Sequence, residues 1–259
     1  NLFFHNGTLY IMGTWKHHGN FIIRWSADGG ITWTEPTDSR HGLLLEGEYH
    51  TAPVPVIIHN GRLWRAIENA KSTSTAWGVR YSAMVISAPV DADLLNASSW
   101  RATNSLPHSA NYLNGQFGGW LEGNAVVAPD GNIVDFLRVA TLEKGRDMAA
   151  IVNISPDGRT AFFDPSTGFL DFAGGSRKFS IRYDERTKRY WTISNLITKE
   201  FADLPAGSVR NTLVLKSSSD LHNWTIHKIL LSHPEVKKHG FQYVDWQFEN
   251  KDIIFLSRT

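Results

Sequence analysis

The feature that most constrains the fold is a β-hairpin that recurs along the chain. Two apolar alternating runs joined by Asn-Gly or Asp-Gly form such a hairpin, because these residues accept the positive φ angles of a tight turn. Three copies have their turn glycine at Gly7, Gly61 and Gly131, and two looser copies have turns near residues 186 and 251. A unit repeated in this way indicates an array of similar sheets.

A second recurring feature lies between the hairpins. The phrase SADGGITW occupies residues 26–33, SSDLHNW occupies 218–224, and weaker versions lie at 155–162 and 87–100. Two alternating kinds of hairpin predict four-stranded sheets repeated around an axis, which is a β-propeller. A β-sandwich also has short strands at regular intervals, but it gives no reason for a recurring Asp–Trp turn.

The number of blades follows from the number of units. Four units contain both hairpins, whereas the fifth reaches Thr259 after its first. A propeller must join its last blade to its first to remove open sheet edges. We therefore expect residues 1–259 to form a single all-β propeller domain of five or more four-stranded antiparallel blades. Its last blade is expected to be incomplete, with a further segment or a partner supplying the rest.

Composition excludes several classes of protein. The formal net charge is +1, which gives no electrostatic reason to expect a nucleic-acid partner. No apolar run is long enough to span a membrane, and the absence of Cys excludes disulfides and thiolate chemistry. No HExxH, EF-hand or P-loop spacing occurs, so we expect no metal and no cofactor.

The phrase at residues 26–33 resembles the Asp-box of the sialidase superfamily, through Ser26, Asp28, Gly30, Thr32 and Trp33. Longer stretches of the chain are similar to the "sialidase family" proteins of polysaccharide-utilising bacteria. The resemblance implies a structural role for the box, in which the Asp accepts backbone N–H groups and the Trp packs between blades. It also implies a glycoside hydrolase with an oligosaccharide or polysaccharide substrate, located in the periplasm or outside the cell.

Strand direction predicts where a site lies. In a propeller, residues about seven to eleven positions from each first-hairpin turn reach the face opposite to that turn. The catalytic candidates on this face are His50, Glu122, Tyr243 and Asp245. The substrate-binding candidates are Glu68, Trp120, Asn124, Arg138, Lys178, Arg210 and Arg258. Converging polar and aromatic groups are typical of a ligand pocket. The alternative is that the charged residues form structural ion pairs and that Trp120 and Tyr243 cap the core.

The resemblance departs from the sialidase pattern at one position. Sialidases have an arginine at the start of an inner strand, where this sequence has His50 within Tyr49-His50-Thr51-Ala52-Pro53. We therefore expect a glycosidase for an acidic or deoxy sugar other than sialic acid, with arginines binding a sugar carboxylate. A polysaccharide lyase, in which His50 or Tyr243 removes a proton beside a uronate carboxylate, is the main alternative. A sugar-binding propeller without catalysis and a protein-interaction scaffold are the others.

Overall fold

The computed structural model describes residues 1–259 and consists of five antiparallel sheets in chain order. Their composition confirms the predicted propeller of four-stranded blades with an incomplete fifth. Blade 1 contains β1 (Leu2–His5), β2 (Thr8–Thr14), β3 (Phe21–Ser26) and β4 (Leu43–Leu45). Blade 2 contains β5 (Tyr49–His50), β6 (Ile57–His59), β7 (Arg62–Asn69), β8 (Ser82–Pro89) and β9 (Arg101–Ala102).

The remaining sheets repeat the same order. Blade 3 contains β10 (Phe117–Val127), β11 (Ile133–Thr141), β12 (Met148–Ile154), β13 (Ala161–Phe162) and β14 (Phe169–Asp171). Blade 4 contains β15 (Ser180–Asp184), β16 (Arg189–Asn195), β17 (Thr212–Ser218) and β18 (Thr225–Ser232). Blade 5 contains β19 (Gln242–Glu249) and β20 (Asp252–Arg258). The two extra strands arise because β5 and β6 both pair with β7, and β13 and β14 both pair with β12.

Helix is confined to short 3-10 turns in the loops. They are Ala97–Ser99, Tyr112–Gly115, Lys199–Phe201 and Ala206–Ser208. None of these helices has the length and the apolar run that crossing a bilayer requires.

The Asp–Trp phrases form tight turns between the third and fourth strands of a blade. Asp28 accepts the backbone N–H and the hydroxyl of Thr32, at 2.9 and 2.6 Å, and Ser26 Oγ accepts the N–H of Gly30. In blade 4, Trp224 packs edge-on against Phe172 of blade 3 at 5.2 Å, as expected for a residue between blades. Asp28 itself is exposed, so its hydrogen bonds are made in contact with solvent.

Apolar side chains between adjacent blades form the core. The largest cluster, of 15 buried residues, lies between blades 2 and 3 and includes Trp64, Phe117 and Trp120. A cluster of ten joins blades 1 and 2, and another ten join blades 3 and 4. Only four buried residues join blades 4 and 5. Burial is therefore strongest around blade 3, which carries several of the candidate site residues.

Candidate active site

His50 and Glu68 face each other on β5 and β7 at the start of blade 2. Glu68 Oε2 lies 2.9 Å from His50 Nδ1, and both side chains are nearly buried. The second oxygen, Oε1, accepts the backbone N–H of Gly123 at 3.0 Å and so connects blade 2 to blade 3. Because Glu68 holds Nδ1, the Nε2 atom of His50 is the ring nitrogen left without a protein partner.

The surroundings of His50 favour its protonated form. Burial lowers the pKa of the imidazole, but the hydrogen bond to Glu68 and the negative charges of Glu68 and Glu122 together raise it more. The net effect is a His50 pKa above the ordinary value of 6.5. The ring can therefore act as a proton donor through Nε2 at near-neutral pH.

Glu122 reaches the same cluster because β10 contains a bulge. The pairing of β10 with β11 shifts between Leu121 and Asn124, and Glu122 has a φ of +45°. A bulge removes a residue from the ladder and redirects its side chain. Glu122 Oε2 accepts a hydrogen bond from Arg138 at 2.8 Å, and both residues are buried. The four residues His50, Glu68, Glu122 and Arg138 form what we call the histidine cluster.

Aromatic side chains form one wall of the histidine cluster. Tyr81 stacks on His50 with ring centroids 4.6 Å apart, and its hydroxyl is 2.8 Å from His18 Nε2. Burial raises the Tyr81 pKa further above its ordinary value, so the phenol stays neutral. Trp77 stands edge-on to His50 at 5.3 Å and is half exposed. The sequence analysis missed these aromatic residues, although they flank Arg80 in the phrase WGVRY.

A second group of polar residues lies where blades 4 and 5 begin. Gln242 Oε1 accepts hydrogen bonds from Arg210 at 2.7 Å and from Arg258 at 3.0 Å. The Arg258 guanidinium also lies 4.6 Å from the Tyr243 ring centroid. We call Arg210, Gln242, Tyr243 and Arg258 the arginine cluster. Neither guanidinium in it has a carboxylate partner, so neither charge is neutralised within the protein.

The two clusters are close enough to influence each other. Burial lowers the Arg210 pKa, and the positive charges of Arg138 and Arg177 lower it further. Arg177 differs from Arg210 because it forms two hydrogen bonds with Asp147, at 3.1 and 2.7 Å. An anion placed beside Arg210 would relieve this repulsion, which makes the arginine cluster a suitable place for a carboxylate.

Two predicted substrate-binding residues, Trp120 and Asn124, make structural contacts inside the protein. Trp120 is fully buried in the largest core cluster, where its Nε1 donates to Pro107 O. Asn124 is fully buried and bridges blades 3 and 4, since it donates to Phe179 O and accepts the N–H of Ile181. Trp120 and Asn124 thus serve packing and the bridging of blades, and their contact with substrate stays a prediction.

Lys178 is also buried, and its Nζ donates to Ser180 Oγ at 2.8 Å and to Val244 O at 2.7 Å. Burial lowers the Lys178 pKa to about 8. The residue therefore ties blade 4 to blade 5, and its contact with substrate stays a prediction.

Asp245 lies apart from the histidine cluster. Its carboxylate is half exposed and pairs with Arg182 at 3.3 Å. It makes no hydrogen bond or ion pair with any of the four residues of that cluster. Its neighbours Val244 and Trp246, on the other face of β19, are the residues that pack in the core. The structure therefore gives Asp245 no partner with which to perform acid–base chemistry.

Asp135 is a buried carboxylic acid that the sequence analysis did not identify. It lies on β11, directly behind Gly123, and neither of its oxygens has a hydrogen-bond partner. Burial raises the Asp135 pKa well above its ordinary value, and the negative charge of Glu68 adds to the effect. Burial thus favours the uncharged form of Asp135, which stands behind the residues that hold His50.

A large cavity lies at the other end of the blades. Its volume is about 650 Å³, and its lining includes His59 and Gly131 from the first-hairpin turns. Most of the lining is apolar, with Ile57, Val127 and Phe248 among it. This position agrees with the prediction that the hairpin turns lie opposite the site. Its size alone does not make it the reactive pocket, because the convergent ionisable groups are elsewhere.

Comparison with known proteins identifies the fold. No family model and no curated protein matches the chain. A family 117 glycoside hydrolase from the marine bacterium Zobellia galactanivorans has a TM-score of 0.57 at 11% identity, over 91% of this chain and 69% of that one. An exo-1,5-alpha-L-arabinanase from a bovine ruminal metagenomic library has a TM-score of 0.55 at 12% identity, over 99% and 85%.

An endo-arabinase from Bacteroides thetaiotaomicron has a TM-score of 0.54 at 10% identity, over 98% of this chain and 86% of that one. These identities are too low to transfer an activity, so the likeness concerns the fold. The chain is therefore an all-β propeller with the architecture found in these glycoside hydrolases.

Proposed function

We propose that the protein is a glycoside hydrolase that cleaves the bond next to an acidic sugar in an oligosaccharide or polysaccharide. The observation that carries the proposal is the position of the arginine cluster beside the histidine cluster. Arg210 and Arg258 have no carboxylate partner, and guanidinium groups bind sugar carboxylates well. Next to them stand an acid and a carboxylate, the two groups that glycoside hydrolysis requires.

His50 supplies the proton in the proposed reaction. Its Nε2–H donates to the glycosidic oxygen as the bond between that oxygen and the anomeric carbon breaks. Glu68 holds Nδ1 and stabilises the charged ring before the proton leaves. Glu122 accepts a proton from the water that attacks the anomeric carbon, and Arg138 fixes the orientation of its carboxylate. The half-exposed Trp77 offers an apolar surface for a sugar ring.

Kinship with the sialidase superfamily is part of the proposal. The Asp-box turns at Asp28 and Asp220 support it, because both carboxylates accept backbone N–H groups as the resemblance implies. A location in the periplasm or outside the cell is proposed from the same kinship. His50, in place of the expected arginine, favours a uronic acid over sialic acid as the substrate.

The test is hydrolysis of uronate-containing oligosaccharides by the wild type and His50→Gln. We expect new reducing ends from the wild type and a loss of about 10²–10⁴ in kcat for the variant, which is the usual contribution of a general acid. The control is His59→Gln, since His59 lies at the hairpin-turn end and its side chain hydrogen-bonds Gly131 O. Full activity in His50→Gln would show that His50 is structural.

The same assay separates the alternative functions. A lyase leaves a double bond in the product and therefore an ultraviolet absorbance that a hydrolase product lacks. A sugar-binding propeller would retain the oligosaccharide without releasing any reducing ends. Either result would refute the proposed hydrolase.

A further inference from the structure

The segment between β18 and β19 brings together three metal-ligating side chains. They are His233, Glu235 and His239, whose ligand atoms all lie within 4.8 Å of one another. The two imidazole rings are tilted by 36° with centroids 3.5 Å apart, and His239 Nε2 is 3.6 Å from Glu235 Oε2. All three are at least partly exposed, so an ion can reach them from solvent.

We propose that His233, Glu235 and His239 bind a divalent transition-metal ion, with Zn²⁺ as the best fit. Two imidazoles and one carboxylate form the borderline donor set that zinc accepts, and a fourth position would stay open to water. Zinc holds such ligands at about 2.0–2.2 Å, so the donor atoms need to close in by only a small side-chain movement. Hard cations such as Mg²⁺ prefer an all-oxygen site and fit less well.

Two existing contacts determine how the ion binds. Lys238 Nζ holds Glu235 Oε1 at 2.9 Å, which leaves Oε2 facing His239 as the ligand atom. The backbone N–H of Glu235 donates to His233 Nδ1 at 3.1 Å. A histidine that binds a metal through one nitrogen carries a proton on the other. An ion at Nε2 of His233 therefore puts a proton on Nδ1, which then can no longer accept the N–H of Glu235. Binding therefore breaks the contact with His233 Nδ1, and Lys238 competes with the ion for the charge of Glu235, so the site is weaker than a prebuilt structural one.

The position suggests what the ion does. The segment ends at Phe241, whose N–H donates to Arg210 O at 2.8 Å and whose carbonyl accepts Asn195 Nδ2 at 3.0 Å. The next residue, Gln242, holds the two guanidiniums of the arginine cluster. An ion held by His233, Glu235 and His239 joins the two ends of this segment and so restricts the backbone that leads into Gln242. We infer that it stabilises the position of Gln242 and of the two guanidiniums without contacting the histidine cluster.

Calorimetric titration of the metal-free protein with Zn²⁺ tests the site. We expect His239→Gln to lose one binding event per chain that the wild type shows, and Zn²⁺ to raise the melting temperature of the wild type alone. His222→Gln is the matched control, because His222 is a turn histidine of blade 4 outside the three-residue set. Lys238→Met should bind Zn²⁺ more tightly, since it frees Glu235 Oε1.

Two results would overturn the proposal. One is a wild type that binds no Zn²⁺, and the other is a His239→Gln variant that retains every binding event of the wild type. Zn²⁺ bound at another histidine survives this substitution and is thereby distinguished from the proposed site.

Discussion

At the scale of single residues, the protonation of His50 depends mainly on Glu68. The Glu68 hydrogen bond and charge oppose the effect of burial and raise the His50 pKa. Glu68→Gln removes the charge, so we expect the alkaline limb of the pH profile of kcat/KM to move to lower pH. The stability that His50 contributes is fully present below pH 6.5 and is lost as the pH rises through the folded-state pKa.

Asp38→Asn is the matched control for this experiment. Asp38 holds His41 at 2.9 Å, but that pair is exposed and far from the site. The control should leave the pH profile unchanged. An alkaline limb that does not move in Glu68→Gln would show that His50 is not the group that titrates.

Lys216 is a second residue whose ionisation affects stability. It is fully buried, with Nζ 3.0 Å from the Phe172 ring centroid, and burial lowers its pKa well below the ordinary value of 10.5. At a pH between the lowered pKa of Lys216 in the folded protein and its ordinary pKa in the unfolded chain, the unfolded chain binds a proton that the folded chain does not. Stability therefore rises with pH in this range. The slope is about 1.4 kcal/mol per pH unit for one proton.

Lys216→Met should remove that slope, measured as the free energy of unfolding from urea titrations at several pH values. Lys228→Met, at an exposed position of β18, should leave it unchanged. An identical slope in the wild type and Lys216→Met would mean that Lys216 is charged in the folded protein.

At the scale of elements, hairpins could be predicted from sequence and bulges could not. Asn60 and Gly61 have φ angles of +47° and +69°, the conformation that makes Asn-Gly a reliable hairpin signal. The bulge in β10 has no comparable signature. It reverses the alternation of side chains, so that Trp120 packs towards blade 2 whereas Asn124 faces blade 4. Counting along the strand therefore put both residues on one face, whereas the structure turns them to opposite sides of blade 3.

Asp135 occupies the space that a side chain at position 123 would need. A Cβ at Gly123 would overlap the Asp135 carboxylate. We expect Gly123→Ala to destabilise the protein by about 1–3 kcal/mol, as overpacking of a core does. Adding Asp135→Ala should restore part of this loss, whereas Gly13→Ala, in open space on β2, should cost little. Urea unfolding of the wild type and the three variants measures these effects, and equal losses with and without Asp135 would contradict the steric explanation.

At the scale of the whole molecule, burial is distributed unevenly among the blades. Fifteen buried residues join blades 2 and 3, but four join blades 4 and 5, and no residue of β20 is buried. We expect the hydrogen-bonded amides of β20 to exchange with solvent at least about a hundredfold faster than those of β11, because local opening costs less than global unfolding. Hydrogen exchange followed by mass spectrometry measures this. Equal protection of both strands would indicate that the blades unfold together.

The arrangement of the site at this scale was only partly predictable. The repeat placed His50, Glu68, Glu122 and Arg138 on one face, and the structure brings these four together. It did not predict that Arg210 and Arg258 share Gln242, because that contact joins residues from different blades. Nor did the repeat separate Asp245 from the histidine cluster. A repeat specifies how high along the propeller axis a residue lies, but not in which direction its side chain points.

Irregular pairing in β19, between Gln242 and Asp245, and the bulge in β10 have a consequence for the history of such a molecule. Glu122 and Tyr243, with φ angles of +45° and +50°, lie at irregular points in the innermost strands of blades 3 and 5. At these points the side chain is released from the ladder that joins neighbouring strands. Substitutions there change what the pocket presents while sheet pairing is kept. A lineage with this scaffold can thus vary the side chains at these two positions while the pairing of the strands is kept.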